Sequence, residues 1–165
     1  MRTMSEEEIA ADARPLVDFV GEVLGPGREP VWRGMVGAPC TRPDGTSDPD
    51  VRAYTAGAQV MGVPVREHIG LLTRLHDRVA ELHWDVTYFA AHQDTGTAAL
   101  VCVDPRTGFE LAVNSTKPPT AFAVLVNTPP TAVPAPEPVY TPEPAPAPEP
   151  KPGPEPGGDI RDILG

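Results

Sequence analysis

Cysteine is nearly absent. Cys40 and Cys102 are the only two in 165 residues, and neither belongs to a CxxC pair. Thioredoxin-type exchange and zinc ribbons both need that spacing, so both are excluded. Aromatic residues make up only 5% of the chain. Basic side chains are in short supply, 13 Lys and Arg against 23 Asp and Glu, for a formal net charge of −10. A nucleic-acid or anionic-membrane partner needs a basic footprint, and this balance argues against one. No apolar run approaches the roughly 18 residues of a transmembrane helix. The opening MRTMSEEEIAADARP lacks the hydrophobic core of a secretory signal, although a chain whose signal had been removed would read the same way. The expected location is therefore extracytoplasmic, in the cell envelope, for a processed chain and cytoplasmic otherwise.

Catalytic signatures are missing too. The serines are Ser5, Ser47 and Ser115, and none sits in a G-x-S-x-G elbow. There is no phosphate-cradling glycine loop and no H-E-x-x-H. Cys40 with His76, His83 or His92 would make a thiol dyad, but no local context favours that pairing over a structural thiol. Asp44, Asp48 and Asp50 suggest calcium, yet the glycine and glutamate of an EF-hand loop do not fall in place. The reading is a protein that is not an enzyme, with no catalytic residue, no metal site and no cofactor.

The chain is organised around Pro64–Trp84, PVREHIGLLTRLHDRVAELHW. Val65, Ile69, Leu72, His76, Val79 and His83 recur at helical spacing and predict one apolar stripe suited to covering a sheet. His76 and His83 on that stripe are candidate lining for a ligand pocket. As metal ligands they are poorly placed, because i and i+7 lie roughly 10 Å apart along a helix axis.

Upstream, Ser5-Glu6-Glu7-Glu8 predicts a capping box. Ile9, Ala13, Leu16, Val20 and Val23 continue a helix that Pro15 is expected to kink or split near Arg14. Val31–Val36 predicts a short strand, residues 37–50 a turn-rich loop, and Val51–Val63 a second strand. Downstream, Asp85–His92, Thr97–Val103, Phe109–Asn114 and Thr120–Asn127 read as strands separated by Gly- and Pro-bearing turns. The order α-β-β-α-β-β-β-β predicts an α+β domain, a mostly antiparallel sheet with two helices packed on one face, followed by a disordered Pro-rich tail. Cys40 and Cys102 fall in strand segments. In an exported protein they are a possible disulfide closing a long loop, and in a cytosolic one they are two buried thiols.

Composition changes at Pro129. Residues 1–128 read as the folded domain, 129–158 as an extended Pro/Glu/Ala-rich linker, and 159–165 as a short terminal peptide. Prolines spaced as in PEPAPAPEPKPGPEP favour a polyproline II spacer, reaching on the order of 80 Å at about 3.1 Å per residue. In DIRDILG, Ile160, Ile163 and Leu164 share one face of a helical turn. They are candidate partner-binding residues of the helix-in-groove kind, with a frayed terminus or the start of a further domain as the alternatives.

The acidic first helix, the Trp32–Cys40 segment, the helix Val65–His83 and the hairpins around ALVCV and FELAVNST together resemble the small extracytoplasmic domains of actinobacterial cell-envelope lipoproteins. The resemblance covers roughly residues 5–133 and implies an α+β fold, often one disulfide, and no assigned activity. The chain departs from it in having no N-terminal lipobox cysteine. The expected function is a non-enzymatic binding or scaffold module whose Pro-rich arm presents its C-terminal peptide to a protein partner. The alternative is a ligand-binding envelope domain with its pocket between sheet and central helix.

Overall fold

The computed structural model describes residues 1–134. Residues 135–165, which hold most of the expected linker and the candidate docking residues Ile160, Ile163 and Leu164, lie outside them, whereas the linker's first residues, expected from 129, belong to the folded unit.

Helix α1 (Glu6–Leu24) starts where the capping box places it. The Glu8 backbone N–H donates to Ser5 Oγ at 3.1 Å, and the Ser5 backbone N–H donates to Glu8 Oε1 at 2.8 Å. Three glutamates in its first turn complement the positive end of the helix dipole. The helix runs unbroken through Pro15, against the expected split. Proline removes one backbone bond, and Ile9, Ala13, Leu16, Val17, Val20 and Leu24 are buried on both sides of it. Packing of that face holds the helix together where the local bond is lost.

A long hairpin follows, β1 (Val31–Thr41) and β2 (Ser47–Val60). Most of the segment expected to be a loop is therefore strand, and only the tip around Arg42–Thr46 turns. The Pro and Gly residues that suggested a loop are accommodated because β1 is the sheet's edge, where bulges and prolines cost least. Its register shifts between Trp32 and Gly34 and again between Pro39 and Cys40. At the tip, Asp44 accepts from the backbone N–H of Thr46 at 2.9 Å and from its hydroxyl at 2.6 Å. These bonds hold the Asp44 carboxyl below its usual range and spend it on the turn.

Helix α2 (Val65–Glu81) then carries the chain to the sheet's far edge. Strands β3 (Asp85–His92), β4 (Thr97–Val103), β5 (Glu110–Ser115) and β6 (Phe122–Asn127) meander back toward β2. The order is β1-β2-β6-β5-β4-β3, and each neighbouring pair is antiparallel. A two-residue strand, β7 (Thr131–Ala132), pairs with β2 at Val51 and Arg52. Thr3 forms a parallel bridge to Ala132, with the Met4 N–H donating to the Ala132 carbonyl at 3.2 Å and the Ala132 N–H to that of Arg2 at 2.8 Å.

Both helices contact the sheet, and the core lies in the single layer between them. Tyr54, Ala56, Ala58 and Val60 of β2, Leu100 and Cys102 of β4, and Phe122, Val124 and Val126 of β6 face it. The buried face of α2 is His68, Leu71, Leu72, Leu75 and Val79. It is rotated by about 60° from the stripe expected from the sequence, on a wheel of 100° per residue. The helix closes on a Schellman motif, with the His83 N–H donating to Ala80 O and the Trp84 N–H to Val79 O, both at 3.0 Å. His83 takes the left-handed position at φ 62°.

Candidate functional site

Alternation puts every second strand residue on the side away from the helices, and the structure covers that side with no second layer among the described residues. The register aligns these residues in rows. From β1 to β3 the central row is Gly34, Gly57, Leu125, Ala112, Val101 and Tyr88. A row toward one end is Gln59, Ala123, Asn114, Ala99 and Ala90. The row on the other side is Val36, Thr55, Asn127, Glu110, Val103 and Asp85. Three of its members form a ladder: the Thr55 hydroxyl lies 2.8 Å from Asn127 Oδ1, and Asn127 Nδ2 donates to Glu110 Oε1 at 3.0 Å. Glu110 and Asp85 are the charged residues of these rows, Asp85 at the β3 edge, and the Arg33 guanidinium reaches the face 3.1 Å from Gln59 Oε1. The face is broad, small-featured and apolar, and it ends at Tyr88 and Val36, which are 51% and 71% exposed. Charge depletion with an aromatic at hand is what the core of a protein interface requires.

The residues singled out from the sequence are not brought together. His76 is half-buried, its ring 4.7 Å from that of Phe89 and its Nδ1 3.2 Å from Asp77 Oδ1. His83 is exposed beyond the helix end, where it forms the cap. The cleft between α1 and α2, of about 630 Å³, is lined by neither; Phe19, Glu22, Gly70 and Arg74 are among its walls. Arg74 is engaged there, lying 3.3 Å from the carbonyls of Val23 and Leu24 at the end of α1.

Cys40 and Cys102 are both free thiols, which corrects the expected disulfide. Cys40 is on β1 and Cys102 on β4, with β2, β6 and β5 between them. Four strand spacings of about 4.8 Å amount to about 19 Å, whereas a disulfide needs Cα atoms within about 7 Å. Burial, with the nearby charges of Asp104 and Glu110, pushes the Cys102 thiol up to about 12. It is a packing group and not a nucleophile.

One polar pair escaped the sequence reading. His68 is fully buried, its ring 4.5 Å from Phe122. Its Nε2 lies 2.9 Å from the carbonyl of Val63, which can only accept, so Nε2 carries the hydrogen. Nδ1 is then the acceptor for the Ser115 hydroxyl at 2.8 Å, and Ser115 Oγ accepts in turn from the Ala98 N–H at 3.0 Å. A serine hydroxyl aimed at an imidazole is the arrangement of a nucleophile and its base. Here the far nitrogen meets a carbonyl in place of a carboxylate, and the ring is sealed among apolar groups. An imidazolium formed in catalysis would have no counter-charge. The pair acts as a strut joining α2, β4 and β5. Only the run His68, Leu71, Leu72, Leu75, Val79 signalled it.

These features define a two-layer α+β protein with one sheet face uncovered among the described residues. Comparison with protein-family models, with curated proteins and with solved structures found no match.

Proposed function

We propose that the chain is a non-enzymatic binding or scaffold module whose folded head and Pro-rich arm engage proteins. One observation carries the reading: an apolar sheet face, its central row from Gly34 to Tyr88 without a charged residue, that no second layer covers among the described residues, on a chain of net charge −10. Burying apolar area stabilises association at about 25 cal/mol per Å², and a central row without charge escapes the desolvation that opposes it. The arm adds reach, and Ile160, Ile163 and Leu164 add an apolar tip. Placement at the cell envelope belongs to the same proposal, supported by the lipoprotein resemblance and by the acidic, Pro-rich composition of residues 129–158.

The test is in-cell proximity cross-linking with the full chain, a Leu125→Lys variant, and a variant carrying Ser at positions 160, 163 and 164. Cross-links lost in either variant support a binding module and say which part binds. Cross-links unchanged in both sink the reading.

A further inference from the structure

The rows of the bare face carry an order of sizes that points to their occupant. The middle of the sheet falls between β6 and β5. A second copy turned over about a twofold axis lying in the face, along the strands at that midline, presents each row reversed. In the central row Leu125 then lies over the second copy's Ala112, Val101 over its Gly57, and Tyr88 over its Gly34. Three large side chains each meet a small one, and by symmetry the three hollows of the first copy receive the second copy's large ones. The Gln59 row behaves alike, whereas in the Glu110 row Thr55 meets Val103 and, at the edges, Val36 meets Asp85. Ala123 meets Asn114 and Gln59 meets Ala99 on one side, while Asn127 meets the Glu110 carboxylate on the other.

We propose that this face is an isologous interface between two copies of the chain, a deepening that rests on reading the face as protein-binding. A closed twofold contact requires a surface complementary to itself, and a row that exchanges large for small on reversal meets that requirement. Charge argues the same way. Two chains of net charge −10 repel, and the central row adds no charge to that repulsion, while the Glu110 carboxylate is placed opposite an asparagine and Asp85 lies at the outer edge. Stacked sheets sit about 10 Å apart at about 30°, so the matching is closest at the axis. Leu125, Ala112, Asn127 and Glu110 lie there.

The deciding experiment is sedimentation velocity with light scattering on the purified full chain from low to high micromolar concentration. The expected mass is about twice 17.5 kDa. Leu125→Lys gives the single-chain mass. Leu125→Ala, which empties the knob, and Ala112→Leu, which fills the hollow, each weaken association at least about tenfold. The double variant Ala112→Leu with Leu125→Ala exchanges knob and hollow and recovers affinity to within about threefold, a coupling that unrelated sites would lack. Far-ultraviolet circular dichroism and cooperative melting of each variant exclude misfolding. A wild-type chain that stays single throughout the range overturns the proposal, as does a dimer that ignores Leu125→Lys or a double variant no better than the singles. A single wild-type chain leaves the binding reading itself to the cross-linking outcome, so the two failures are distinct.

Discussion

The Ser115 hydroxyl lies 2.8 Å from His68 Nδ1, and the Val63 carbonyl on the ring's other nitrogen determines that serine is the donor. The same oxygen accepts from Ala98 N–H, so one side chain joins two strands and a helix.

Ser115→Ala strands the buried His68 Nδ1 and the Ala98 N–H together. An unsatisfied buried group costs about 1–3 kcal/mol, and urea unfolding should show that loss as a lower midpoint at unchanged slope, the product of slope and midpoint shift giving the energy. Adding His68→Leu removes the orphaned acceptor, so the double variant should lose less than the sum of the single losses. Strict additivity would show that the two side chains do not cooperate.

His83 stands at φ 62°, where L residues pay for contact between Cβ and the backbone. His83→Gly relieves that contact while loosening the unfolded chain. The net expectation is a gain of about 0.5–1 kcal/mol, seen as a melting temperature higher by a few degrees. An unchanged or lower melting temperature would show that the imidazole contributes more to the cap than its backbone strain costs.

Gly37 faces the ring of Tyr54 across the hairpin, and a Cβ there would run into it. Tyr54 is buried, with little room to move. Gly37→Ala should cost about 1–3 kcal/mol, the usual range for overpacking. Chemical denaturation measures it, and a loss under about 0.5 kcal/mol would mean the ring swings aside.

Native protein should be labelled by iodoacetamide at Cys40 and not at Cys102, with both labelled after unfolding, and mass analysis without reductant should count two free thiols. The alkaline limb follows from the same site. The Cys102 thiol rises from 9.0 to about 12 on folding. Its contribution is complete below about pH 9, where both states hold the proton, and falls as pH climbs toward 12 because the unfolded chain ionises first. The slope expected from this group is about 1.4 kcal/mol per pH unit. Cys102→Ala should flatten the decline between those limits. Equal slopes in both proteins would remove Cys102 as its cause.

Local signals carried much of the fold. The bounds of β3 and β4 and the start of α1 follow from alternation, turn residues and a capping box, all written within a few positions. The rotation of α2 does not. Leu71 and Leu75 flank one side of the apolar arc and Val65 and Ile69 the other, and only the sheet beneath decides which flank is buried. The hairpin was hidden for a related reason: glycine and proline read as loop unless the strand is known to be an edge. The His68–Ser115 pair joins residues 47 apart in the chain. The bare face was illegible because Ala, Gly and Val line both sides of the sheet, and alternation between them carries little contrast.

The bridge between Thr3 and Ala132 has a mechanical consequence. The two segments run parallel, so tension applied before Thr3 and after Ala132 pulls them past one another along their length. Their two hydrogen bonds would be loaded at once, in shear, and the β7 pairing to β2 stands behind them. A head joined to its arm in this way would resist a steady pull better than one whose end strand could be peeled off bond by bond.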